Sequence, residues 1–248
     1  MDDALELAEY MPLSFKTRSE EEYIAFLWDA FETNYTHGKY QFAFLAYHML
    51  TMSFVYFIIW QIRNNAPEDF EKGTIGFGKD VEKSLINAKS PFAFSTVNER
   101  SILRFLKLIQ CDNSKIGAYA KLVDDRNETA HPNGNIFYST QASLDQKITE
   151  IMRVVDEIQT HSTSVIQTCY ENFLASSYDD EEREYPDATD QIREVLVHGH
   201  YLSQKDIEIC LAYDPSPLMK RPEFTRDNMR AIDALHQEFL DEYKPKDD

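Results

Sequence analysis

Apolar residues recur every three to four positions along most of the chain, and strand-like alternation is absent, so the pattern predicts helices joined by short polar turns. Residues 19–34, SEEEYIAFLWDAFETN, read as a first helix with Ser19 as N-cap and an acidic first turn. Over 40–63 the periodicity gives way to a nearly continuous apolar run, broken between 42 and 60 only by His48, Thr51 and Ser53 among the uncharged polar residues. That length reaches across a bilayer. It is nevertheless a single such segment, rich in aromatics along its whole length and without an orientation signal in its flanks. The reading is a central helix covered on all sides, by its own domain and by a second subunit, with no membrane span and with His48 as a hydrogen-bonded core residue.

Further along, residues 95–110, STVNERSILRFLKLIQ, predict one helix with Arg100, Arg104 and Lys107 on one face and Ile102, Phe105, Leu106 and Ile109 on the other. Residues 113–131 form another helix, and 144–174 a long one with Ile148, Ile151, Val155 and Ile158 inward. Composition then changes abruptly. Residues 176–190, SSYDDEEREYPDATD, carry seven acidic residues against one arginine and read as a linker or loop. Two short helices over 188–197 and 203–213 follow, the second opened by a Ser203–Asp206 capping box, and a last helix spans 225–243. The expected fold is an all-α helical bundle: a helical domain over 1–175, an acidic linker over 176–190 and a C-terminal helical extension over 191–248.

The chain has 248 residues with 43% hydrophobic content and only 7 glycines and 9 prolines, which is enough apolar material for a sizeable helical core. Cys111, Cys169 and Cys210 are odd in number and widely spaced; they read as reduced thiols of a cytoplasmic protein. The first ten residues are acidic and amphipathic and do not spell a secretory leader. A net charge of −18 excludes a general nucleic-acid binder, whose affinity comes from neutralising phosphates. Any nucleic acid must therefore be held in a local basic groove, and Arg100, Arg104 and Lys107 are the expected substrate-binding track. Residues 73–80, GTIGFGKD, come near a phosphate-binding loop, but Asp80 stands where Ser or Thr would hold magnesium and no strand precedes them. His198, His200, Asp206 and Cys210 match no common zinc spacing. No cofactor and no metal is expected.

The densest polar chemistry lies at 122–135, LVDDRNETAHPNGN. Pro132 and Asn133-Gly134 stop the preceding helix near His131. His131 thus sits at the negative pole of a helix, near Asp124, Asp125 and Glu128, a setting that suits a group trading protons near neutral pH. Arg126 lies five residues before it, with four residues between, about 140° around an ideal helix and about 7.5 Å along the axis. A long arginine that swings toward the histidine gives a fixed cation beside a titratable group, which suits a phosphodiester whose transition state gains negative charge. Arginine and histidine near a helix end also serve as plain dipole partners, and the chain contains two further pairs of similar spacing, Arg193 with His198 and Arg230 with His236. Context separates Arg126 and His131 from them: an amide, Asn127, follows the arginine and a turn follows the histidine.

The stretch RNETAH, residues 126–131, resembles the signature of the HEPN superfamily of all-helical proteins. The resemblance implies a metal-independent endoribonuclease of toxin or host-defence type, with two copies of the motif meeting across a homodimer. It assigns Arg126 to the scissile phosphate, His131 to activation of the ribose 2′-hydroxyl, and Asn127 to the polar position beside the arginine. It also implies an RNA substrate and a protein antitoxin or regulatory partner. Some toxins of this family carry a tyrosine two residues after the histidine, which a partner enzyme modifies; here that residue is Asn133. Two other functions fit the same sequence: a catalytically inactive helical binding module docking a protein partner, and a regulatory subunit sensing nucleotides through the glycine-rich segment. Basic residues around the motif point to the enzyme, and a motif saturated with internal bonds points to the module.

Overall fold

The computed structural model describes residues 2–245, and these form an all-α protein. Among the described residues there is no β-strand, and extended pairing is confined to isolated bridges joining Pro12 to Ser203 and Ile75 to Phe77. Helix α1 (Asp2–Leu5) runs into a 3-10 turn whose Leu7 and Tyr10 are buried. Helix α2 (Arg18–Thr36) starts from Thr17 rather than Ser19. The Thr17 hydroxyl accepts the Glu20 N–H at 3.2 Å while the Glu20 carboxylate accepts the Thr17 N–H at 3.3 Å. This reciprocal cap satisfies two end donors where a lone serine would satisfy one.

Helix α3 (Tyr40–Asn65) is the axis of the molecule. It is the one helix among the described residues long and apolar enough to cross a bilayer, and 83% of its most apolar stretch is buried inside the protein. Helix α2 returns antiparallel to it, and the Phe31 and Tyr47 rings meet at 5.1 Å. One chain therefore covers most of the aromatic girdle for which a second subunit was expected. Phe42, 59% exposed, and Met49, 43% exposed, remain open.

Helices α4 (Pro67–Gly73) and α5 (Lys79–Ile86) flank the glycine-rich segment, which is a surface connection with Gly76 at φ +103°. The single helix expected over 95–110 is replaced by α6 (Glu99–Ile102) and a 3-10 segment, Leu103–Ile109. Leu103, Leu106 and Ile109 are three residues apart; at three residues per turn they eclipse, so the tighter winding sends all of them into the core. Helix α7 (Asn113–Ala130) is capped by the Asp112 carboxylate, which accepts the Lys115 N–H at 2.9 Å.

Helix α8 (Gln141–Ser177) is 37 residues long and belongs to two cores. Up to Ile158 it packs on the α2, α3 and α7 side; from Ile166 onward it builds a second cluster with the C-terminal helices. These are α9 (Ala188–Gln191), which continues into a π-helical turn, then α10 (Gln204–Leu211), α11 (Ser216–Met219) and α12 (Arg226–Tyr243). The acidic loop after α8 folds back on the helix end, where Arg183 donates to the Ser177 and Tyr178 carbonyls at 2.6 and 3.2 Å. Asp206 ties the two cores together. It closes the expected capping box with Ser203 and accepts amide hydrogens from Gln61 of α3 at 2.9 Å and Gln159 of α8 at 2.7 Å.

Candidate functional site

Helix α7 ends at the expected place. His131 is its C-cap, already extended at φ −82° and ψ 143°, and its N–H still reaches the Asn127 carbonyl at 3.2 Å. Pro132 accounts for the extended backbone. Of the two turn residues only Gly134 takes a left-handed conformation, at φ +82°; Asn133 instead donates its amide to the Glu128 carbonyl at 2.9 Å and accepts the Asn135 N–H at 3.0 Å. The His131 side chain is exposed, and its ring makes no hydrogen bond to a described residue.

Five residues earlier, Arg126 is engaged in another direction. Its Nη2 donates to Glu99 Oε2 at 2.7 Å, so the guanidinium faces α6 instead of swinging toward His131. The same Oε2 is 3.1 Å from Nε2 of His48, which is 1% exposed on α3. Burial works to raise the Glu99 pKa, but the hydrogen bonds and charges of His48 and Arg126 outweigh it and hold the carboxyl below its ordinary value. The result is a chain from the buried axis of the fold, through His48 and Glu99, to a half-buried cation.

That cation opens onto a cavity of about 960 Å³ between α2, α3, α6 and α7. Tyr23, Tyr56 and Phe92 supply aromatic surface to its lining, and Met49 and Met52 of α3 add further apolar surface. Arg126, Asn127, Asn98, Glu99 and Arg100 give the lining its polar and charged groups, and Glu99 and Arg126 are near enough to Tyr56 to act on its hydroxyl. Burial first, and then the nearby Glu99 charge, push the Tyr56 hydroxyl up to about 12, so it stays protonated. Most hydroxyls at the rim are already engaged: Ser53 donates to the Met49 carbonyl, Ser90 to Glu20 and Ser95 to the Phe92 carbonyl.

The sequence-derived residues are thus partly gathered and partly scattered. Arg126, Asn127 and Arg100 share the cavity, while His131 is absent from its lining. Arg100 is ion-paired with Asp124 of α7. Arg104 and Lys107 line a neighbouring cavity of about 650 Å³ with Phe77 and Phe105, and the two cavities touch at Val97 and Asn98. The expected stripe over Arg100, Arg104 and Lys107 therefore does not lie on one helix face. The change from α to 3-10 winding after Ile102 aligns Arg104 with Lys107 and leaves Arg100 turned to α7.

No protein-family model, no curated protein and no solved structure matches this chain. Its function must be read from the site.

Among the described residues no group of three or more His, Cys, Asp or Glu converges as a metal-ligand set. Of the four residues weighed for zinc, His198 bonds Ser14 at 3.0 Å, Asp206 holds the two glutamines, and Cys210 is a buried free thiol. Sequence reasoning missed Glu99 and gave His48 only a core role. One signal was present, a histidine within the uncharged run of residues 42–60, but its partner is 51 positions away.

Proposed function

We propose that the chain is a HEPN-like, metal-independent endoribonuclease whose site is completed by a second copy. The observation that carries this reading is the disposition of the motif: Arg126 and Asn127 open together into the 960 Å³ cavity, and the His131 ring stands free at the exposed end of the same helix. Arg126 gives one nitrogen to Glu99, and its remaining N–H groups suit a phosphate. His131 is the proton-transfer group for the 2′-hydroxyl. Within one chain the two are apart, so two copies must meet at the α7 ends. Exposed apolar residues surround that end: Ile136 is 74% and Phe137 37% exposed, and Gln41, next to Phe42, donates to the Thr129 carbonyl at 3.0 Å and accepts the Phe137 N–H at 3.1 Å. Such a patch is the kind of surface that association covers.

The test is cleavage of RNA, with a matched DNA as control, by purified protein in the presence of a chelator. RNA cut to a cyclic phosphate with the DNA intact is the expected result. His131→Ala is expected to lower the rate by about 10² to 10⁴, the usual worth of a general acid or base. Arg126→Lys is expected to lose most activity, because a point charge does not reproduce a planar fork. Equal cleavage by wild type and His131→Ala, or no cleavage by either, rejects the reading.

The Arg126–Glu99–His48 chain favours a second reading, a binding module in which Arg126 is a structural residue. Its mark in the same experiment is intact RNA with a melting temperature that drops for Arg126→Ala and not for His131→Ala.

A further inference from the structure

We propose that the cavity beside Arg126 is a site for one unstacked nucleotide, an aromatic base joined to a single phosphodiester, and that Glu99 sets its preference for one negative charge. The proposal shares with the ribonuclease reading only the role of Arg126 as the anion-holding group. The rest comes from the cavity itself.

Its volume of about 960 Å³ is in the range of small-ligand sites. Two kinds of recognition group line it. Tyr23 and Phe92 meet edge to face at 5.2 Å and 83°, and with Met49 and Met52 they give the lining surface suited to a flat apolar body. The same lining holds uncommitted donors: the Asn127 amide, the Asn98 amide nitrogen, and the Arg126 nitrogens other than Nη2. A ligand that satisfies both has one polar, anionic end and one aromatic body.

Charge then limits how anionic that end is. Both arginines in the lining are already matched by a carboxylate, Arg126 by Glu99 at 2.7 Å and Arg100 by Asp124. Glu20, 5% exposed, adds a further carboxylate to the wall. Glu99 is also not free to leave: moving its Oε2 from Arg126 takes it from His48 Nε2, 3.1 Å away and buried. An incoming anion therefore shares Arg126 with Glu99. One phosphodiester charge is accommodated by the guanidinium, and each further phosphate meets carboxylates without a new cation.

The experiment is calorimetric titration of the full chain, with chelator present, using two nucleotide probes and, as a third, inorganic phosphate. One is a deoxydinucleoside monophosphate, which has one diester and no 2′-hydroxyl to react; the other is a nucleoside triphosphate with the same base. Saturable binding of the dinucleotide, favoured by at least about tenfold over the triphosphate, is expected. Glu99→Gln keeps the shape and removes the charge, and is expected to strengthen triphosphate binding by about tenfold and erase the preference. Asp124→Asn, at a surface position that frees Arg100, is expected to move the ratio the same way and serves if Glu99→Gln does not fold. Tyr23→Ala is expected to weaken the dinucleotide and leave inorganic phosphate unchanged. No saturable dinucleotide binding at millimolar concentration overturns the proposal, as does an unchanged ratio in the charge-removing variants. RNA left intact by a protein that binds the dinucleotide rejects the ribonuclease reading and keeps this one; RNA cleaved without dinucleotide binding does the reverse.

Discussion

His131 and His236 show how differently one side chain behaves at two helix positions. His131 is exposed at a C-cap and bonds no described side chain, so His131→Ala is expected to change stability by less than about 0.5 kcal/mol. His236 is 5% exposed, and its Nδ1 lies 2.8 Å from the buried Tyr170 hydroxyl. His236→Ala strands that hydroxyl and is expected to cost about 1 to 3 kcal/mol, read as a lower denaturant midpoint. The sequence spacing Arg230 to His236 therefore marks a structural contact. A similar contrast applies to Gly134, whose added Cβ would meet nothing within 4 Å but would have to sit at φ +82°. Gly134→Ala is expected to cost about 1 kcal/mol through backbone strain alone.

At the level of elements, the segment after Asn98 illustrates a conflict between propensity and burial. Its composition suits an α-helix, yet the three-residue spacing of Leu103, Leu106 and Ile109 is met better by 3-10 winding, and the basic stripe is divided as a result. Helix α10 is held by a different device. Asp206 is 1% exposed with no ion-pair partner among the described residues, and burial raises its pKa against the bonds from Ser203, Gln159 and Gln61. Asp206→Ala breaks the capping box, strands the Gln159 amide and leaves Gln61 with only the Tyr201 carbonyl, at 3.3 Å. The expected loss is about 3 kcal/mol, summing a cap of roughly 1 with unpaired donors of about 1 to 3. Equal unfolding midpoints for Asp206→Ala and wild type would show that α10 is docked by apolar packing alone.

For the whole molecule, pH is a direct probe of what the fold buries. Burial first, and then Lys16, lower the His200 pKa from the ordinary 6.5 to about 4. Burial also lowers that of His236. Between pH 6.5 and 4 the unfolded chain takes up protons at His200 that the folded chain refuses, so stability falls as pH falls through that window and the loss levels off below it. Glu99, held below its ordinary value, adds a loss at still lower pH, while Asp206, raised, runs the other way. Denaturant unfolding at pH 7.5, 5.5 and 4.5 reads the sum of these groups, and His200→Gln is expected to lose less stability than wild type between the first and the last. Assembly is the second global test. Light scattering is expected to give a dimer at micromolar concentration, and Ile136→Asp with Phe137→Asp to give a monomer that no longer cuts RNA.

Helix positions were legible because they depend on local terms. The apolar period marks α2, α7, α8 and α12, an unbroken apolar run marks α3, Pro132 and Gly134 stop α7, and Ser203 with Asp206 caps α10; each acts within a few residues, so the linear pattern contains it. Arg126 and Asn127 were legible as chemistry for the same reason. What the sequence could not contain is the meeting of distant groups: His48 with Glu99, Asp206 with Gln61, or the cavity that Arg126 shares with Tyr23 and Phe92. The direction of Arg126 belongs there too. On an isolated helix its guanidinium is free to reach His131, but α6 packs beside α7, and a half-buried carboxylate whose hydrogen bond comes from the core attracts it more strongly than an exposed imidazole does. Local periodicity determined where the helices are. Tertiary packing decided which charges face one another, because Coulomb energy and burial depend on distances that residue numbers do not carry.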